Sequence, residues 1–123
     1  MTANEFMSRE ECESAVRYGT LEIEGIGKLR VRSLHGRELD RFEKMVAEAN
    51  PSGGEKVPTR AGHYAIACAM VDGNGENLFN PEDDADVDKV GQLNAAIRLA
   101  VVNWSTQWVE ELRKGMDGAA LGN

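Results

Sequence analysis

The sequence predicts an α+β fold in which an N-terminal β-hairpin packs on three to four helices and the C-terminal helix is long. Three patterns indicate this fold. Polar and apolar residues alternate over 20–34, and an alanine-rich apolar run follows at 64–71. Apolar residues then recur at helical spacing over 93–114. The first pattern is typical of a two-stranded hairpin, and the other two are typical of a buried helix and an amphipathic one.

The composition is that of a soluble, acidic protein. Charged residues make up 28% of the 123 residues and the formal net charge is −7, which disfavours nonspecific binding to nucleic acid or to an anionic membrane. No apolar stretch approaches the ~20 residues that span a bilayer, and the first residues do not have the pattern of a signal peptide. We therefore expect a cytoplasmic protein in which Cys12 and Cys68 stay reduced.

The sequence predicts three parts: a short N-terminal arm at 1–19, one globular domain at 20–115, and a tail of small and polar residues at 116–123 that is expected to be disordered. Ser8 and Glu11 fit a helix-capping box, so the arm is predicted to hold a short helix over 9–18 that ends at Gly19. The arm's apolar stripe is thin, and the helix is therefore expected to dock weakly.

The alternation over 20–34 predicts the hairpin and its register. We place a three-residue loop at 25–27, with Gly27 in the left-handed position. The predicted cross-strand pairs then combine opposite charges on one face and apolar side chains on the other: Glu24 with Lys28, Glu22 with Arg30, Ile23 with Leu29, and Leu21 with Val31. The charged face is either a binding surface or the solvated face that any alternating strand has.

Two helices are predicted after the hairpin. The first covers 36–49 and carries one apolar stripe: Leu39, Phe42, Val46 and Ala49. The second is the central, apolar helix over 59–71, with Thr59 as its cap and a turn at 72–75 as its end. Leu78 and Phe79 are predicted to return the chain to the core.

The acidic segment 82–88 predicts the start of a further helix. Asn80 can cap this helix, Pro81 suits its first position, and the acids favour the positive end of the helix dipole. Gly91 or Asn94 is expected to end it. A second interpretation stays open, in which the same acids hold a divalent ion weakly or bind a basic partner.

The last predicted helix, 93–114, ends at Gly115 and carries a continuous apolar stripe: Leu93, Ile97, Ala100, Val101, Trp104, Trp108 and Leu112. A tryptophan pair one turn apart usually lies in the core, where each ring buries about 150–250 Å². A domain of this size nevertheless leaves much of its surface exposed. Part of the stripe is therefore a candidate partner-binding surface, formed by Val101, Trp104, Trp108 and Leu112, with core packing as the alternative.

No pattern indicates catalysis, a cofactor or a metal site. His35 and His63 are the only histidines, and neither belongs to a recognisable nucleophile motif. Residues 72–76 resemble the start of a calcium-binding loop, but the sixth position is Asn77 rather than glycine and the twelfth is Asp83 rather than glutamate. We therefore predict a non-enzymatic protein with no catalytic, cofactor-binding or metal-binding residues, and we interpret 72–76 as a tight turn.

Three features together resemble one protein family. VRSLHGRE at 31–38 leads into a helix, and AIACAMVDGNGENLF at 65–79 ends an apolar helix. An acidic segment and a long terminal helix with Asn94 and Asn103 follow. These features are similar to those of the tail assembly chaperones of long-tailed, lambda-like phages and prophages. The similarity covers 21–114.

The most specific part of the resemblance is a D-x-x-G-x-x-L-F motif, which this chain matches at Asp72, Gly75, Leu78 and Phe79. The resemblance implies that these residues form a structural turn. His35 departs from the family pattern, in which a threonine often stands at that position.

The resemblance implies a chaperone that binds the tape-measure protein and recruits tail-tube subunits, and many members also have a longer form made by ribosomal frameshifting. No nucleic-acid or membrane partner is expected, and self-association is possible. Two alternatives stay open. One is a small structural or head–tail joining phage protein, and the other is a different non-enzymatic regulatory binding domain.

Overall fold

A computed structural model of the chain describes residues 6–54 and 56–122, with the backbone alone described at 108, 109 and 111–122. Within these residues five helices and three strands follow one another in this order: α1 Arg9–Ser14, β1 Tyr18–Ile23, β2 Gly27–Arg32, α2 Gly36–Ala49, α3 Thr59–Ala69, β3 Met70–Val71, α4 Asp84–Gly91 and α5 Ala95–Gly122. The predicted α+β fold with a hairpin and a long C-terminal helix is confirmed.

The hairpin has a register different from the predicted one by two residues. Glu22 pairs with Lys28 and Leu21 with Leu29, because the loop is 24–26 and its Ile26 N–H donates to the Ile23 carbonyl at 2.9 Å. Gly25, at φ +77°, takes the left-handed position that the sequence analysis assigned to residue 27. A shift of two residues leaves every side chain on its predicted face, so the apolar face still packs inward.

The third strand was not predicted. The sheet order is β1-β2-β3, and β3 pairs antiparallel with β2, placing Val71 opposite Arg30 and Met70 opposite Val31. The apolar run therefore leaves the helix after α3 and becomes extended. Asn77 stabilises this helix end, because its side-chain amide donates to the carbonyls of Ala67 at 2.9 Å and Cys68 at 3.1 Å.

The prediction that the apolar run forms the centre of the domain is confirmed. Helix α3 packs against α2, α4, α5 and the sheet. The α3–α4 contact is close at one glycine, since a Cβ on Gly91 would lie 2.6 Å from Cε1 of His63. The apolar residues buried in the domain come from α3 and from every layer around it except α2: Val31, Ala61, Tyr64, Ile66, Ala67, Cys68, Ala69, Met70, Val71, Val87, Val90 and Val101.

Helix α1 has the predicted capping box. The Ser8 Oγ accepts a hydrogen bond from the Glu11 N–H, and the Glu11 Oε1 accepts one from the Ser8 N–H, both at 3.1 Å. The predicted end at residue 18 was wrong, because Tyr18 already pairs with Arg32 in the sheet. Helix α2 has the predicted bounds.

Helix α3 begins at the predicted Thr59, but the capping position is Pro58 and no side chain caps the helix. Helix α4 begins later than predicted, because Asp83 is its cap and accepts the Ala85 N–H at 2.9 Å. Asn80 instead forms a turn in which its Oδ1 accepts the Glu82 N–H at 2.9 Å.

Helix α5 begins at Ala95, after Asn94, whose Oδ1 accepts the Ala96 N–H at 2.8 Å. It continues to Gly122, whereas the sequence pattern predicted an end at Gly115 and a disordered tail at 116–123. The division of the chain into arm, domain and tail stays a prediction.

Candidate partner-binding surface

The turn predicted at 72–76 is present and uses its own carboxylate. Oδ1 of Asp72 accepts the N–H groups of Asn74 at 2.8 Å and Glu76 at 3.1 Å. The Gly75 N–H donates to the Asp72 carbonyl at 3.0 Å, and Gly75 has φ +84°. These bonds explain Asp72 and Gly75 through backbone geometry alone. Among the side chains that the structure describes, which exclude 108, 109 and 111–122, no group of three acidic, histidine or cysteine residues is arranged to hold a metal ion.

The same turn docks onto the outer face of the sheet. A Cβ on Gly75 would lie 2.8 Å from the Tyr18 hydroxyl oxygen. Arg30 stacks on the Tyr18 ring, with its guanidinium carbon 4.2 Å from the ring centroid, and donates to the Gly73 carbonyl at 2.6 Å. Beyond the turn, Phe79 packs against the core, whereas Leu78, also predicted to return to the core, is 47% exposed.

A buried ion pair lies beneath the VRSLHGRE segment. Nη1 and Nη2 of Arg32 donate to Oε1 and Oε2 of Glu38 at 2.8 and 2.7 Å. Glu38 Oε1 also accepts the His35 N–H at 2.8 Å, and Arg32 donates to the Ser33 carbonyl at 2.9 Å. The hydrogen bond to Glu38 raises the pKa of Arg32, so the pair stays ionised.

The Cys68 thiol lies buried near this pair. Burial, followed by the nearby Glu38 charge, raises the pKa of Cys68 to about 12. Burial likewise raises the pKa of Tyr64, which lies one turn before Cys68 on α3. Both groups are therefore expected to be protonated at neutral pH.

The acids of 82–88 are engaged within the chain. Arg60 joins α3 to α4 through Asp84 at 2.6 Å and Asp88 at 2.8 Å. The remaining acids have partners in Arg41, the Ala85 N–H, the Asn80 N–H and Lys89. These bonds favour the interpretation of the segment as a helix start over a cation site.

The predicted partner stripe on α5 falls into two parts, one that packs against the core and one whose side chains the structure does not describe. Val101 is 1% exposed and lies in the core, and Trp104 is half-buried and packs against that core. A Cβ on Gly19 would lie 2.5 Å from Nε1 of Trp104, so the indole lies directly on β1. For Val101 and Trp104 the structure therefore favours core packing. Trp108 and Leu112 lie outside the described side chains, and their assignment to a partner surface stays a prediction.

The opposite side of α5 carries exposed residues that the sequence analysis did not single out. We call these four residues the outer seam: Ala95, Leu99, Val102 and Thr106. Leu99 is 61% exposed and Val102 is 44% exposed. These four residues are spaced by four, three and four positions in the sequence. The tryptophan stripe has the same spacing and larger side chains, so spacing alone did not single out the outer seam. None of the described helices combines the length and apolarity needed to cross a membrane.

The arrangement of a hairpin, a short third strand and a long terminal helix is similar in fold to a solved phage protein. One similar solved structure is the tail assembly chaperone of bacteriophage HK97, with 14% sequence identity and a TM-score of 0.52. The match covers 78% of this chain and 88% of that one, so the likeness in fold extends over most of both chains. No family model matches the chain, and no curated protein does so either.

Proposed function

We propose that this protein is a tail assembly chaperone of a long-tailed phage or prophage, which binds the tape-measure protein and promotes tail-tube assembly through protein–protein contacts. The observation that carries the proposal is the fold shared with the HK97 tail assembly chaperone over 78% of this chain. The resemblance of the D-x-x-G-x-x-L-F motif also supports it, and in this chain Asp72 and Gly75 of that motif form the turn that packs on the sheet.

The surface has the two properties that such a chaperone needs. Large apolar side chains are exposed on both α2 and α5, with Leu39 at 47% and Leu99 at 61%, and exposed apolar groups are suited to a partner's apolar stripe. The formal net charge of −7 keeps the unbound protein soluble. In this proposal the protein acts by binding in the host cytoplasm, without catalysis or a cofactor.

Co-expression tests the proposed binding. The tagged chain is produced together with the tape-measure protein of the same phage or prophage and is then purified by its tag, with the untagged chain as the control. We expect the tape-measure protein to co-purify only with the tagged chain. Failure to bind, from a chain that is folded and monodisperse, would contradict the proposal.

Particle composition distinguishes a chaperone from a structural subunit. A chaperone leaves before the tail is complete, so we expect purified particles to contain the tape-measure protein but not this chain. Stoichiometric retention of this chain in finished particles would instead identify a structural or head–tail joining protein.

A further inference from the structure

The turn at 72–76 contains the only asparagine of the chain that is followed by glycine, Asn74 before Gly75. In such a pair the backbone nitrogen of the glycine can attack the side-chain amide of the asparagine, because glycine has no Cβ to hinder the approach. This spontaneous reaction expels ammonia and is called deamidation. Asn74 is exposed, so water reaches its side chain. The sequence therefore supplies the reacting groups, and the conformation of the turn decides whether they meet.

The folded turn holds the attacking nitrogen in another bond. The Gly75 N–H donates to the Asp72 carbonyl at 3.0 Å, which places Asn74 at the third position of a hydrogen-bonded β-turn. The Asn74 N–H donates to Oδ1 of Asp72 at 2.8 Å. The attack requires the Gly75 nitrogen to lose its proton and to turn towards the Asn74 side chain, so its bond to the Asp72 carbonyl must break first.

Packing against the sheet restricts Gly75 as well. Gly75 has φ +84°, and a Cβ built on it would lie 2.8 Å from the Tyr18 hydroxyl oxygen. Arg30 stacks on the same tyrosine ring and donates to the Gly73 carbonyl at 2.6 Å. The turn is thus tied to the sheet on one side and to Asp72 on the other, and it opens only when these contacts are lost.

We propose that Asn74 is a site of spontaneous deamidation that the folded turn suppresses and that opening of the turn exposes. In this reaction the Gly75 nitrogen loses its proton and bonds to Cγ of Asn74, the bond from Cγ to Nδ2 breaks, and ammonia leaves. The product is a cyclic imide. Water then opens the imide at either of its carbonyls, which leaves an aspartate or an isoaspartate at this position. The inference is independent of the proposed function.

A comparison of the folded and unfolded chain tests the inference. The full chain is incubated at mildly alkaline pH in its native state and, in parallel, unfolded in guanidinium chloride. Conversion is followed through the mass and the isoaspartate content of the tryptic peptide 61–89, which contains Asn74. Asn74→Ser has no side-chain amide at this position and is the control that assigns the signal. Asn77, which precedes Leu78 in the same peptide, is the internal reference.

We expect Asn74 to convert about tenfold or more slowly in the native chain than in the unfolded one, because two hydrogen bonds to Asp72 must open first. Equal rates in the two states would overturn the inference, and so would an unfolded chain in which Asn74 converts no faster than Asn77.

A second variant tests the part that the Asp72 side chain takes. Asp72→Ala removes the carboxylate that holds the Asn74 N–H and keeps the backbone carbonyl, so we expect several-fold faster conversion than in the native wild type. Circular dichroism checks that the variant is folded. A folded variant that converts as slowly as the wild type would overturn the part assigned to this carboxylate. If the variant does not fold, the comparison of the native and unfolded wild type still decides the inference.

Discussion

The guanidinium of Arg32 and the carboxylate of Glu38 face each other through two parallel hydrogen bonds, at 2.8 and 2.7 Å, in a site where their side chains are only 5% and 14% exposed. The pair connects the end of β2 to the first turn of α2. Since Glu38 also accepts the N–H of His35, one carboxylate fixes both the start of the helix and its position on the sheet.

Replacing Glu38 with glutamine should therefore destabilise the domain strongly. The buried Arg32 charge would lose its counter-ion, and breaking such a pair from one side costs about 3–5 kcal/mol. Urea denaturation measures the loss. Glu43→Gln, on an exposed position of the same helix, is the control and should change the free energy of unfolding by less than about 0.5 kcal/mol. Similar small effects for both variants would mean that the pair is not a stabilising contact.

The pair also predicts a pH dependence. Burial has the largest single influence on the pKa of Glu38 and raises it. This effect is outweighed by the hydrogen bonds from Arg32 and the His35 N–H and by the Arg32 charge. The pKa of Glu38 therefore lies below its ordinary value of 4.5. A depressed pKa in the folded state contributes stability above the unfolded value, and that stability is lost as the pH falls through the folded value. The stability difference between wild type and Glu38→Gln should thus be full at pH 6 to 7 and should shrink below about pH 4.5. A difference that stays constant down to pH 3 would contradict this assignment.

The contact between Gly19 and Trp104 predicts opposite effects for two glycine-to-alanine substitutions. At Gly19 a methyl group would lie 2.5 Å from the indole nitrogen, and overpacking of this kind costs about 1–3 kcal/mol. At Gly62, within α3, a Cβ would have no neighbour within 4 Å, and alanine should stabilise the helix by up to about 1 kcal/mol. Thermal or urea unfolding of the two variants gives the signs. An unchanged or raised stability for Gly19→Ala would show that the indole does not lie on β1.

The two thiols should differ in reactivity. Cys12 is exposed and Cys68 is buried, and burial raises the pKa of Cys68 to about 12. An aromatic disulfide reagent at pH 8 is expected to modify one thiol in the native protein and both in denaturant. Cys12→Ser is the control and should leave no rapidly reacting thiol. Rapid modification of Cys68 in the folded protein would show that α3 is accessible to solvent.

Periodicity alone predicted the parts of the fold that depend on local pattern. It placed α2 at its observed bounds and assigned the apolar run to the centre of the domain, because each follows from residues close together in sequence. It missed β3, since the pairing of Val71 with Arg30 depends on the open edge of a strand far away in the chain. It also misplaced the hairpin loop, because Gly25 and Gly27 both accept positive φ and only the folded turn decides between them.

The candidate surface was predictable only in part for a related reason. Helix α5 carries two stripes with the same spacing, and part of the stripe with tryptophans was predicted as a candidate partner surface, with core packing as the alternative. Trp104 fills space against Gly19, and Val101 is enclosed by the core. Which stripe faces inward depends on the shape of the sheet and α3, and the sequence of α5 does not contain that information.

The solubility of the proposed client, the tape-measure protein, tests most directly whether this chain acts as a chaperone. The tape-measure protein is expressed alone, with the wild-type chain, or with an unrelated acidic protein of similar size, and its soluble fraction is quantified after lysis. We expect the soluble fraction of the tape-measure protein to rise several-fold when it is expressed with the wild-type chain, and not with the unrelated protein, because the chain then covers the client's apolar stripes. An equal soluble fraction in all three cases, with the chain itself folded and abundant, would contradict this expectation.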